Sequence, residues 1–274
     1  MEDNKKSDNL FKDSIPVIPQ DFLDTINEIG RMAAEAVAGF SEAITKIKFP
    51  EIELPKFKFP HIDYTRIRTI ICCNSKSGWT LTGEMGLGDY LNDDLLTYTQ
   101  EEIDAYFLTY YKYKNDELKI NNYELAKNSI LETVNPKWIE TVVSSFKCYD
   151  LDMYKMTIPN LLMIIEGEIS EIADSDLVGG KLLTHWKKEL DTESDKFDAM
   201  ALYSLYLFLR EVLFKTRDFH KKRLDIINRN WILHGRDDPT NWKEQDYFRL
   251  INTLSSVQYI KRLLKNDWIK IEEK

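Results

Sequence analysis

One apolar stripe constrains this chain more than any other feature. Ile158, Leu161, Leu162, Ile165, Ile169 and Ile172 recur at three- and four-residue spacing. That spacing places them on one face of an α-helix and requires a second apolar surface to cover it. The segment DAMALYSLYLFLREVLF, about thirty residues on, is apolar on nearly every bearing and belongs at the centre of a helical body. Asn135 followed by Pro136 supplies a natural N-cap and first-turn residue. Helices are predicted over roughly 136–148, 152–173, 196–216, 218–235 and 243–266. Breakers in SDLVGGKL and DTESD mark the one long connection, at 174–195. Short connections between successive helices favour an antiparallel bundle, and runs alternating at period two are few. The predicted fold class is all-α.

Upstream the pattern is less regular. Helices are predicted at roughly 62–72, 99–114 and 120–131, the second opened by Thr99 with Glu102 three residues on, a capping-box signal. Between the first two lies SGWTLTGEMGLGDY. Its glycines, Gly83, Gly86 and Gly88, lack the spacing of a dinucleotide-binding loop and have no strand–turn–helix context. The segment reads as a loop.

Residues 1–18 read as a polar tail. Asp21 then caps a helix in which Phe22, Ile26, Ile29, Ala33, Ala36, Phe40, Ala43 and Ile47 alternate at spacings of four and three. This heptad seam packs either on a partner helix or on the protein's own body. Pro50, Pro55 and Pro60 follow at intervals of five and predict an extended arm. The chain therefore divides into a tail (1–18), a helix and proline-rich arm (19–60), a helical region of unassigned role (61–134) and a helical bundle (135–268).

The totals exclude several classes. With 43% apolar and 30% charged residues the composition is that of a soluble globular protein. The start, MEDNKKSDN, carries no apolar segment, so no secretory signal is expected, and the uncharged stretch from Ala199 to Leu209 is too short to span a bilayer. The expected location is cytoplasmic, with no membrane association. Cys72, Cys73 and Cys148 form no metal-ligand cluster and read as reduced, buried thiols. No cofactor is expected. The six tryptophans suit a core as well as base-stacking platforms.

The net charge of −9 opposes general coating of nucleic acid, yet residues 210–236 carry eight Lys or Arg against three acids. A solvated helix face accounts for such a run as readily as a binding surface does. Inside it lies NRNWILHGRD, residues 228–237. On a helix, Leu224, Ile227 and Trp231 mark the packed face, His234 continues it at the last turn, and Gly235 is placed to end it. His234 there interacts with the negative helix end, as Arg229 and Arg236 also would. The combination permits a second reading. Asn230 and His234 share a helix side, and Arg229 lies about 140° from His234 but is long enough to swing toward it. Histidine can move a proton near neutral pH, and arginine can stabilise charge building on a phosphorane-like transition state.

The string Arg229-Asn230-Trp231-Ile232-Leu233-His234 resembles the R-x4-H motif of HEPN-domain proteins, with a polar residue directly after the arginine, as is common in that family's ribonucleases. The resemblance covers about residues 135–268, and IPNLLMIIEGEI and the long apolar helix are part of it. It implies a HEPN-type bundle and a metal-independent endoribonuclease that leaves a 2′,3′-cyclic phosphate and a 5′-hydroxyl. Arg229 and His234 would be the catalytic pair and Asn230 an orienting residue. It also implies a homodimer with paired motifs, and a role in bacterial toxin or anti-phage defence, with an antitoxin or a phage-derived trigger as further partner. Glu166 either faces this site as a supporting acid or forms a helix-edge salt bridge. Lys221, Lys222, Arg223 and Arg236 are the candidate RNA contacts. Against this stands a non-catalytic interaction subunit assembling through the N-terminal helix, and a weaker reading places a small-molecule sensor in 61–134.

Overall fold

The computed structural model describes residues 63–114, 119–184, 186 and 197–265. The tail, the heptad helix and the proline-rich arm lie outside the described residues, as does Trp268. Everything described belongs to one compact unit, 61–274. It is all-α: among the described residues there is no β-strand, only one isolated bridge between Lys114 and Asn121.

Nine α-helices occur among these residues: α1 (Tyr64–Lys76), α2 (Leu87–Tyr90), α3 (Gln100–Lys112), α4 (Asn122–Thr133), α5 (Ile139–Asp150), α6 (Ile158–Ile172), α7 (Phe197–Phe208), α8 (Arg229–Leu233) and α9 (Glu244–Lys265). Short 3-10 turns lead into α5 and α6, and α7 runs on as a π-helical turn, Leu209–Leu213. The expected starts hold. The Thr99 and Glu102 side chains cap α3 reciprocally, and the Asn135 carboxamide accepts from the Lys137 N–H at 3.1 Å. The stripe on α6 faces inward, with Ile158, Leu161, Leu162, Ile165 and Ile169 fully buried and Ile172 half-buried.

The organiser is α9, against which α4, α6 and α7 all pack, while α1 packs on α7. The helices of 63–133 thus share one continuous core with the rest. What is unusual is how polar α9 is for its burial. Arg249, Asn252, Thr253, Ser255, Ser256 and Gln258 are all buried. Asn252, Ser255 and Ser256 find their partners in the chain between α1 and α2, which the sequence presents as a loop. Trp79, Thr80, Leu81 and Thr82 run through the interior outside any helix or strand. Side chains replace the missing sheet partners. Asn252 accepts from the Thr80 N–H at 2.7 Å and donates to its carbonyl at 3.0 Å. Ser204 of α7 accepts from the Leu81 N–H, Ser256 donates to the Leu81 carbonyl, and Tyr90 donates to that of Trp79. Buried main-chain groups must be satisfied, and a helix studded with amides and hydroxyls does so here.

Beside this segment Arg249 is 1% exposed and bonds both Asp104 and Asp246. Asp104 also accepts from the Trp79 indole at 3.0 Å. Burial pushes the Asp246 carboxyl above its usual range despite the guanidinium beside it. Gly78, at φ +94°, keeps this charge cluster closed: a Cβ there would sit 2.7 Å from Arg249 Cδ. A second buried acid, Glu168 on α6, is satisfied by the Asn135 N–H, Gln258 and Lys261.

Candidate functional site

The basic stretch does not form the helix predicted over 218–235. After the π-helical turn the chain is irregular through 228, and only Arg229–Leu233 is helical. Local side-chain bonds replace the helical ladder. Asp218 accepts from the His220 N–H, and Arg223 donates to the neighbouring Leu224 carbonyl. Asn228 is the hinge pin. Its amide nitrogen donates to the carbonyls of Val212 and Lys215 at 2.9 and 3.0 Å, and its oxygen caps α8 through the Asn230 and Trp231 N–H groups. Leu224 is only half-buried, whereas Ile227 and Trp231 reach the interior.

The end of α8 is built as the sequence predicts. Gly235 adopts φ +64°, its N–H bonds the Ile232 carbonyl at 3.0 Å, and the Arg236 N–H reaches back to Trp231 at 2.7 Å. Only a glycine takes that left-handed position at no steric cost.

Arg229, the first residue of α8, turns toward α6. Glu166 accepts from its Nε at 2.9 Å and from Nη2 at 2.9 and 2.7 Å. The remaining nitrogen, Nη1, donates to Asn230 Oδ1 at 2.9 Å. Glu166 also accepts the Gly179 N–H at 2.7 Å, so one carboxylate ties α6, the 173–183 connection and α8 together. Gly179 has φ +58°, and a Cβ there would lie 3.9 Å from Arg229 Nη1. The pair is well sheltered, with side-chain exposures of 15% and 13%.

His234 closes α8 as its C-cap, at the opposite end from Arg229, and is exposed. Its N–H bonds the Asn230 carbonyl at 3.1 Å. Among the described residues nothing hydrogen-bonds its imidazole. The ring meets the edge of Phe219, with centroids 6.0 Å apart. Phe219, 43% exposed, also touches Trp231 and carries the Arg236 guanidinium 5.6 Å above its ring. The structure therefore joins Arg229, Asn230 and Glu166 in one network and leaves His234 one helix length away, with no bond between the imidazole and that network.

The candidate RNA contacts separate. Lys221, Lys222 and Arg236 are exposed. Arg223 is engaged: its Nε and Nη2 hold Asp237, which is 2% exposed and also accepts from the Trp242 indole. Its charge stitches the irregular segment to the body. Phe219 and Asp237 had no signal in the sequence, because irregular chain brings them to α8. Trp79, Trp186, Trp231 and Trp242 are core residues, and Trp138 packs over Gly167. The three cysteines are free and only partly buried.

No family model matches this chain, and neither a curated protein nor a solved structure does. Among the described residues no helix is long and apolar enough to cross a membrane.

Proposed function

We propose that this protein is an endoribonuclease of the HEPN type, acting in a bacterial toxin or anti-phage system as a homodimer. The observation that carries the reading is the construction of α8. A five-residue helix, capped at both ends, presents an exposed histidine with an uncommitted imidazole at one end and, at the other, a guanidinium that Glu166 holds and that in turn bonds the Asn230 amide. The imidazole takes the proton of an RNA 2′-hydroxyl. The 2′-oxygen bonds phosphorus, the P–O5′ bond breaks, and the departing 5′-oxygen takes a proton from water or from a second histidine across a dimer. Arg229 stabilises the added charge on the phosphoryl oxygens. Exposed Lys221, Lys222 and Arg236 supply phosphate contacts around a site on an otherwise acidic protein.

One observation favours a second reading. Arg229 is spent on a forked bond to Glu166, as a purely structural latch would be. In that reading the unit is a non-catalytic subunit whose HEPN-like bundle serves assembly through the N-terminal helix.

The test is end chemistry. Purified protein is incubated with labelled RNA, in EDTA and without it, and with the same strand carrying single 2′-deoxy positions. Cleavage leaving cyclic phosphate, unaffected by EDTA and absent at 2′-deoxy positions, is the expected result. Cleavage that ignores the 2′-hydroxyl, or none in any RNA with or without phage extract, contradicts it.

A further inference from the structure

An open cleft of about 900 Å³ lies along α3, well away in sequence from α8. Its floor is one face of that helix and the residues at either end: Tyr98, Glu102, Tyr106, Tyr110 and Tyr113. At spacings of three and four these line up, and the floor runs about 20 Å at the helical rise per residue. Glu84 of the preceding loop and Asp89 of α2 form one wall, and Asn122 and Leu125 of α4 form the other.

The lining has an unusual polarity. Among the described residues it contains three carboxylates and no lysine, arginine or histidine. Glu84 is neutralised by Arg262 at 3.2 Å and accepts from Ser255. Asp89 and Glu102 have no ion-pair partner among the described residues, and both are exposed. Burial, then the charges of Asp89 and Glu84, push the Tyr110 hydroxyl well above its ordinary range. Four of the hydrogen-bond donors are already committed to main-chain carbonyls, and the exposed Tyr98 and Tyr113 hydroxyls bond nothing among the described residues. Tyr106 donates to Asp89, Tyr110 to Glu84, Thr109 to Ala105 and Asn122 to Tyr110. What remains facing the cleft is acceptor lone pairs, carboxylate charge, aromatic surface and, as uncommitted hydroxyls, only those of Tyr98 and Tyr113 at its two ends.

A ligand matched to that lining is elongated, cationic, rich in donors and free of acceptors, with apolar stems between its charges. We infer that the cleft is a binding site for a linear aliphatic polyamine. Its ammonium groups meet Asp89, Glu102 and the faces of the tyrosines, and its methylene segments lie along the rings. A peptide backbone fits less well, because its carbonyls find few uncommitted donors. Phosphate-bearing ligands are repelled.

The test is calorimetric titration of the full chain with spermine at near-physiological salt. Saturable one-to-one binding is expected, weakened at least ten-fold by Asp89→Asn and by Tyr113→Ala. Both residues are exposed, and unchanged thermal unfolding confirms that these variants fold. Glu140→Gln, an exposed acid outside the cleft, leaves affinity unchanged. Three results overturn the inference: binding that does not saturate, binding to which Glu140→Gln matters as much as Asp89→Asn, or a tetralysine peptide that binds tighter than spermine.

Discussion

The 79–82 segment is irregular chain between helices, and the 214–237 stretch is irregular apart from the five residues of α8, yet they are built in opposite ways. Residues 79–82 lie inside the molecule; side chains of α7 and α9 answer the polar groups of Thr80 and Leu81, and Tyr90 and Asp104 answer the carbonyl and indole of Trp79. The 214–237 stretch lies mostly at the surface, attached at three points: Asn228 to the end of α7, Arg223 to Asp237, and Arg229 to Glu166. The first region is fixed by the fold and holds it together. The second is fixed at its anchors and leaves its charges in solvent. Irregular backbone can thus be core or functional surface, and the partners of its N–H and C=O groups decide which.

Breaking the interior region has the largest expected effect. Arg249→Ala strands Asp104 and Asp246 without their cation in the core. Removing one partner of a buried ion network costs about 3–5 kcal/mol, so urea unfolding would show a large loss of stability or no folded protein. A loss below about 1 kcal/mol, the range of exposed pairs, would mean that the cluster is hydrated and that the interior description of this region fails.

Next comes the latch. Glu166→Ala removes the fork on Arg229 and the acceptor of the Gly179 N–H. Hydrogen bonds to charged groups contribute roughly 1.5–3 kcal/mol each when lost, less where solvent reaches the site, so a loss of about 1–3 kcal/mol is expected. Amide exchange should speed up at 179–183 and 229–233 and stay unchanged at 79–82. Equal loosening of both regions would show that they are not independent.

The smallest effect on stability belongs to the exposed charges. Lys221→Ala with Lys222→Ala should change unfolding free energy by less than about 0.5 kcal/mol each, as surface substitutions do. RNA affinity should fall with a shallower salt dependence, because each lost phosphate contact lowers the slope of log K against log salt by about one. Unchanged salt dependence would remove these lysines from the interface.

The same contrast explains how much the sequence could reveal. Helices with a clear apolar period, α6 and α7, were legible within a few residues, as was the start of α3, because Thr99 and Glu102 encode their own cap. The glycine ending α8 was legible for the same local reason. The burial of 79–82 was not, since WTLT is answered by Ser204, Asn252 and Ser256, more than 120 residues away. The helix expected over 218–235 failed for a related cause. Leu224, Ile227 and Trp231 have helical spacing, but Asn228 bonds the carbonyls of Val212 and Lys215 instead of continuing a helix. At the site, the pairing of Glu166 with Arg229 was one of two stated alternatives for that acid. The separation of His234 from the network follows from Arg229 turning to Glu166 on α6, a pairing across 63 residues that no local pattern encoded.

In the proposed ribonuclease reading, His234 carries chemistry that the fold does not need. The direct measurement is RNA cleavage by wild type and His234→Ala, with thermal unfolding of both on the same preparations. The account predicts that the variant unfolds within a degree or two of the wild type and cuts RNA at least a hundred-fold more slowly, the scale of a lost general base. Equal cleavage by the two proteins, or a variant whose only defect is lost stability, would contradict it.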